Sequence, residues 1–164
     1  MTPRPIEPDA FAPYGSVIEA GRVPSTAING ATCERFDSLA LIDAGAEGGS
    51  PVISIFRAVP WPTPIIITML ERHPLGSQAF YPLHGRPWLV VVGQGDPLVT
   101  DTIEAFHMRG DQGIQFSRGV WHHPLIVLDA PQDFLVVDRA GPGDNCDEIH
   151  FDARPIHIDL DRNT

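Results

Sequence analysis

"ERHPLGSQAFYPLHGRPWLVVV", residues 71–92, sets a cluster of polar side chains directly against an apolar run. The tail of this stretch, "PWLVVVG" (87–93), is too short for an ordinary helix, rich in β-branched and aromatic residues, and bounded by proline and glycine. Those properties read as a strand buried in a sheet. The same signature recurs in "SPVISIFRAVP" (50–60), "PIIITMLERH" (64–73), "QAFYPL" (78–83), "TIEAFHM" (102–108), "GIQFSRGVW" (113–121), "PLIVLD" (124–129) and "DFLVVDR" (133–139). Short strands at this spacing predict a sandwich or barrel. Two places admit a helical turn: "EPDAFAPYG" (7–15) and the acidic opening of "TDTIEAFHM" (100–108). The 17 prolines work against longer helices. The predicted class is all-β with little helix.

A chain of 164 residues supports one domain with a substantial core, so residues 1–164 are read as a single domain. Its 43% hydrophobic and 20% charged residues are globular proportions, and no apolar run reaches the ~20 residues of a transmembrane helix. The N-terminal segment has no apolar core of a signal peptide, which makes a soluble cytoplasmic protein the expectation. Cys33 and Cys146 lack metal-type spacing and are expected to be buried, inert thiols.

Charge excludes more. A net charge of −10 argues against nucleic acid and anionic membranes as partners. All 11 basic residues are arginine, so no lysine exists to form a Schiff base with a carbonyl substrate or pyridoxal phosphate. Arginine still offers a planar fork for carboxylates, which leaves small anions as substrates.

Three clusters carry candidate chemistry. Arg57 ends one strand run and Glu71, Arg72 and His73 end another, so an arginine and an acid–base set are expected at one barrel mouth. In "FSRGVWHHPL" (116–125), adjacent His122 and His123 on a strand point to opposite faces, so only one of them faces a cavity. The third cluster is Asp138 and Arg139, closing a strand before the loop "AGPGDNCD" (140–147). His84, His107, His150 and His157 stand without such company and are read as surface or structural.

The run Ser117-Arg118-Gly119-Val120-Trp121-His122 resembles the second cupin motif, P-x-G-x-x-H, with serine in place of proline. In cupins that histidine joins two histidines and a glutamate on a metal. The matching register here offers Gln78, Phe80 and His84, and phenylalanine is no ligand. The cupin ligand set is therefore broken.

"INGATCERFDSLA", "SIFRAVP", "LERHPLGSQAFYPL", "GVWHHPL" and "VVDRAGPGDNCD", taken in order, resemble the ureidoglycolate lyase family over about residues 27–147. The resemblance implies a cupin-like β-barrel, a homodimer, and cleavage of (S)-ureidoglycolate to glyoxylate and urea in allantoin (purine) degradation and nitrogen salvage. The family is also associated with a divalent metal, nickel in particular, for which His73, His122 and Glu71 are the candidate ligands, and a metal-free mechanism stays open beside it. The tail from Glu148 to Thr164 is less clearly matched, and no function is carried onto it.

The substrate is a carbinolamide, whose cleavage removes a hydroxyl proton and protonates a departing nitrogen. Arg72 is the first candidate clamp for its carboxylate, with Arg57 and Arg139 as rivals and Trp121 beside the site. His122 or His73 suits the base, as do Glu71 or Asp138 where burial raises the pKa. Gln78 suits the urea amide. Three rivals stay open: a ureidoglycolate amidohydrolase releasing ammonia, another cupin-type enzyme on a small acid, and a non-catalytic barrel that senses such an acid.

Overall fold

Proline, glycine and Asx punctuation cuts the chain into extended segments that cannot satisfy their backbone groups alone, so they pair into sheets. The computed structural model describes residues 1–160. The N-terminal elements are β1 (Arg4–Pro5), α1 (Pro8–Phe11), β2 (Gly15–Ile18), β3 (Thr26–Ile28) and β4 (Cys33–Arg35). The central ones are β5 (Ser50–Ala58), β6 (Ile65–Ile67), β7 (Met69–Arg72), β8 (Gln78–Pro82), β9 (Trp88–Gln94) and β10 (Val99–Met108). Then follow β11 (Gly113–Phe116), β12 (Trp121–His122), β13 (Ile126–Val127), β14 (Gln132–Ala140), β15 (Asp147–His150) and β16 (Ile156–Ile158).

A seven-stranded sheet runs β1-β10-β9-β12-β7-β15, with β13 also on β9, and a five-stranded sheet runs β2-β11-β8-β14-β5. Trp88, Val90 and Val92 of β9 enter the core between them, meeting Phe80, Phe116 and Phe134 of the smaller sheet. Leu89 and Val91 turn the other way, into a second core with Leu70, Ile103, Trp121 and Ile126 beneath the β6–β16 pair. This explains why β9 reads as an unbroken apolar run: both its faces are covered. The chain is all-β with little helix, and its two sheets face each other across a shared core without closing into a barrel. Their hydrogen-bond ladders remain separate among the described residues.

Several expectations change. Segment 100–108 is strand throughout, within β10, because Ile103, Ala105, Phe106 and Met108 are needed alternately by the two cores. The segment at 7–15 does hold α1. "GIQFSRGVW" is two strands, β11 and β12, parted by a turn in which Gly119 takes φ +77°, the left-handed region that favours glycine. Cys33 and Cys146 are both exposed, not buried, since one sits on the β3–β4 hairpin and the other on the loop before β15. No helix among the described residues is long and apolar enough to cross a membrane. Residues 161–164 of the C-terminal tail lie outside the described residues.

Phe134 is fully buried, with its ring 5.0 Å from Trp88 and 6.5 Å from Phe80. Phe134→Ala is expected to cost about 3–5 kcal/mol, read as a lower denaturation midpoint. A loss under about 1 kcal/mol would show that the inter-sheet core is not the main source of stability.

Candidate active site

Directly opposed residues on antiparallel strands project from the same face of a sheet. His122 is opposite Val92 on one side and Glu71 on the other, and Glu71 is in turn opposite Glu148. Val92 lies in the inter-sheet core, so His122, Glu71 and Glu148 form a polar row on that same inward face. His73 follows at the end of β7, where Pro74 steers the preceding residue out of helical geometry and the chain turns away. From the facing sheet, Gln78 shares the side of Phe80 and Asp138 that of Phe134 and Val136.

Both imidazoles are fixed by their backs. His73 Nδ1 lies 2.7 Å from the Asn145 carbonyl oxygen, and His122 Nδ1 lies 2.9 Å from that of Val120. A carbonyl only accepts, so each Nδ1 carries a proton, and each Nε2 is left to present a lone pair when the ring is neutral and a second N–H when it is charged. His122 is further held by stacking on Phe116, centroids 4.2 Å apart at 19°. Both Nε2 atoms are buried without a partner, as is Gln78 Oε1. One ligand atom from each of Glu71, His73 and His122 falls within 4.8 Å of the others. Two imidazole nitrogens and one carboxylate suit a divalent transition metal, and fixing the far ring nitrogen is the usual way a ligand histidine is oriented.

The electrostatics separate two carboxyls. Glu71 is held below the ordinary carboxylate range, chiefly by the His122 imidazole, with His73 and His123 adding to it against the effect of burial. The closest Glu71 oxygen is 3.6 Å from His122 Nε2, too long for a good hydrogen bond, so the effect is attraction across a gap. Burial raises the Asp138 carboxyl, and His73 and Gln78 only partly offset it. His123 is lowered by burial, and its ring packs against the edge of Trp61 at 4.8 Å, away from this cluster.

Glu71, Gln78 and His122 form the polar wall of a cavity of about 370 Å³, opposite an apolar wall of Phe56, Phe80 and Leu125. A larger cleft, about 590 Å³, lies between α1 and the loop after β2. It is lined by Glu7, Asp9 and Arg22 and gathers no set of ligand atoms, so size does not locate the chemistry here.

The candidate arginines are placed elsewhere. Arg72 and Trp121 are one residue out of phase with Glu71 and His122, so they face the opposite side of the sheet. There the Arg72 guanidinium lies 4.6 Å over the Trp121 ring and pairs with Asp147 at 2.9 Å and Asp96 at 3.1 Å. Arg57 borders the cavity, yet its fork is taken by Asp133 at 2.7 and 2.9 Å. Arg139 is buried and donates to the carbonyls of Ala46 and Pro142. The structure thus joins Glu71, His73, Gln78, His122 and Asp138, and leaves Arg57, Arg72, Arg139 and Trp121 with structural partners.

Some participants had no sequence signal. Phe116 and the carbonyls of Val120 and Asn145 act through shape and backbone, which residue type does not announce. Cys146 and Glu148 lie on the outer side of Glu71, again with ligand atoms within 4.8 Å. Only the register of β15 on β7 brings Glu148 there.

Two facing sheets that bring ligand atoms of Glu71, His73 and His122 within 4.8 Å of one another, beside a cavity lined by Glu71 and His122, define an all-β protein built to bind a small molecule. A family model described as ureidoglycolate lyase matches residues 1–159, which takes in most of the tail the sequence left unassigned. Ureidoglycolate lyase 1 of Rhizobium meliloti (strain 1021) is 49% identical over 148 residues, covering 90% of this chain and 87% of that protein. The Burkholderia cepacia ureidoglycolate lyase is 50% identical over 146 residues, 88% and 82% of the two chains. That of Pseudomonas fluorescens (strain Pf0-1) is 48% identical over 152, 92% and 91%. The chain belongs to the ureidoglycolate lyase family and is an enzyme of that type. Among solved structures, an oxalate oxidase in complex with the substrate analogue glycolate aligns over 92% of this chain and 81% of its own, at 16% identity and a TM-score of 0.39.

The depressed Glu71 carboxyl gives a signed expectation. Its contribution to stability is present above the unfolded-state value, about 4.3, and is lost as pH falls through the lower folded value. The Tm difference between the wild type and Glu71→Gln should therefore shrink on acidification below about pH 4. A difference independent of pH down to acid unfolding would show that Glu71 is not held ionised by the histidines.

Proposed function

We propose that the cavity cleaves (S)-ureidoglycolate to glyoxylate and urea, and that the enzyme serves allantoin degradation in the cytoplasm as a homodimer. The observation that carries this reading is the approach of His122 Nε2 to a Glu71 carboxylate oxygen at 3.6 Å, with the ring's Nδ1 already turned to the Val120 carbonyl. Two acceptors so placed repel unless a cation or proton joins them. His73 Nε2 supplies a third donor to the same point.

Glu71, His73 and His122 would hold the divalent ion, nickel by family resemblance. Bound there, it supplies a Lewis acid that lowers the pKa of a hydroxyl group as it does that of water. Among the described residues no arginine fork is free at the cavity, so a cation held by Glu71, His73 and His122 would supply the positive charge that the substrate's carboxylate needs.

The remaining residues move and position the other atoms. Asp138 is the acid–base group left free once both histidines are engaged as donors, and burial moves it toward the range useful near neutrality. It takes the hydroxyl proton as the carbon–oxygen double bond forms and the carbon–nitrogen bond breaks. It returns that proton to the departing nitrogen, so urea and glyoxylate leave with no net proton change. The unpartnered Gln78 Oε1 accepts from the urea N–H groups and fixes which nitrogen departs.

The test is a metal-stripped assay on racemic ureidoglycolate that follows urea, glyoxylate and ammonia together and subtracts the uncatalysed decay. The expected result is equal urea and glyoxylate from one enantiomer, with activity returning on adding nickel. Ammonia in place of urea would make the enzyme an amidohydrolase, and no rate above background would favour a sensor.

Asp138→Asn is expected to lower kcat by roughly 10²–10⁴-fold with little change in KM. An unchanged kcat would remove Asp138 from proton transfer. Gln78→Ala should raise KM more than it lowers kcat, and unaltered kinetics would take Gln78 out of the substrate site.

A further inference from the structure

We propose that the same cavity cleaves a wider class of carbinolamides, the N-acyl-α-hydroxyglycines, to glyoxylate and a primary amide, with the acyl group held against Phe56, Phe80 and Leu125. The inference rests on the lyase reading above and extends its substrate class. Ureidoglycolate is polar at every end: beyond the carbinol carbon it carries a urea group whose terminal nitrogen brings two N–H donors. The cavity is polar at one end only. Its volume of about 370 Å³ falls in the range, about 300–1,000 Å³, of sites that enclose drug-sized ligands, and ureidoglycolate is far smaller than such a ligand.

The placement of the walls says where the larger group goes. Gln78 and Phe80 lie two residues apart on β8 and share its inward face, so a substrate nitrogen bonded to Gln78 Oε1 directs its acyl substituent along the strand toward Phe80. Phe56 comes next, its ring 6.1 Å from that of Phe80 at 66°, and it stays 39% exposed although it lines the cavity. Pro124 and Leu125 border the same cavity from the chain that follows His122. Arg57 is the one polar side chain at this end among the described lining residues, and its fork is already on Asp133. A guanidinium only donates, so it has nothing to offer a urea N–H group. A terminal urea nitrogen here would meet no side-chain acceptor, whereas an alkyl or aryl group would take apolar surface out of water.

The exchange leaves the chemistry intact. The reacting carbon of an N-acyl-α-hydroxyglycine bears the same carboxylate, hydroxyl and amide nitrogen. Asp138 takes the hydroxyl proton and the oxygen's electron pair forms the aldehyde double bond. The carbon–nitrogen pair goes to nitrogen, and the proton returns to that nitrogen. Glyoxylate and a primary amide leave, with no oxidant, reductant or water consumed.

The test sets the purified full chain on racemic N-acetyl-, N-butyryl- and N-benzoyl-α-hydroxyglycine beside racemic ureidoglycolate, following glyoxylate and the released amide or urea and subtracting the uncatalysed rates. All three acyl compounds should be cleaved from one enantiomer, with KM falling as the acyl chain grows, by up to about fourfold per buried methylene. Calorimetric titration with N-benzoylglycine and N-carbamoylglycine, unreactive because they lack the hydroxyl, supplies a readout free of turnover. N-benzoylglycine should bind at least about tenfold more tightly, with the more negative heat-capacity change. Phe56→Gln and Leu125→Gln, at positions that are not fully buried, should each lower the ratio of kcat/KM for the N-benzoyl compound to that for ureidoglycolate by about tenfold while keeping the circular dichroism spectrum. A ratio unmoved by both would overturn the assignment of the acyl group to this wall. Turnover of ureidoglycolate alone, with N-carbamoylglycine the tighter ligand, would overturn the wider substrate class and leave the lyase reading standing. Turnover of the acyl compounds alone would uphold the inference and overturn ureidoglycolate as the substrate, and turnover of neither would overturn both.

Discussion

The pairing of β12 with both β7 and β9 is the constraint on which the site depends. β12 is only two residues long, yet its register places His122 between Val92 and Glu71 in one row. A slip of one residue would turn His122 into the lower core and bring Trp121 into the cavity. The slip is resisted from both sides, because Trp121 fills the second core with its Nε1 donating to the Gly95 carbonyl at 3.0 Å, while His122 stacks on Phe116. Hydrophobic burial on one face thus sets the chemistry on the other. The cost falls on the polar row, whose buried nitrogens have no hydrogen-bond partner among the described residues.

Electrostatics explain how an acidic protein can hold an anionic substrate. With a net charge of −10 the surface field opposes entry, so attraction must come from groups close to the bound molecule. The arginines near the cavity do not supply it, because Arg57, Arg72 and Arg139 are neutralised by carboxylates or wrapped in carbonyls. The positive charge this calls for is the one proposed on Glu71, His73 and His122, and the histidines and burial separate the two inward carboxyls. Glu71 beside the histidines stays ionised, and Asp138 across the cavity is pushed toward protonation.

The fold was largely legible because its evidence is periodic. Runs such as "PWLVVVG" and "DFLVVDR" carry the strand signal in their own residues. The same reading admitted a helical turn at 100–108, where local acidity was outweighed by the need of two cores for alternate residues of β10. In the site, Glu71, His73, Gln78 and His122 could be named because they combine rare chemistry with strand ends. The error about Arg72 came from treating neighbours in sequence as neighbours in space: on a strand, Glu71 and Arg72 face opposite ways. Asn145 and Phe116 were invisible for another reason. One acts through its backbone oxygen and the other through the flat face of a ring, and neither residue type marks a site.

Arg139 shows how a residue outside the cavity can still govern it. A buried guanidinium without a carboxylate is costly, and this one is satisfied only by the carbonyls of Ala46 and Pro142, drawn from two separate loops. Gly49 and Gly141 allow those loops to close on it, for a Cβ on Gly49 would fall 2.3 Å from Arg139 Nε and one on Gly141 2.7 Å from the Gly49 Cα. The loop so anchored continues to Asn145, whose side-chain oxygen accepts from the Leu75 N–H at 2.7 Å while its carbonyl accepts from His73. Arg139, the loop, Asn145 and His73 therefore form one hydrogen-bonded path from β14 to the His73 imidazole on the opposite sheet. Arg139, a rival candidate for the substrate's carboxylate, instead holds the loop that holds the histidine, which puts its charge to work in orienting an imidazole.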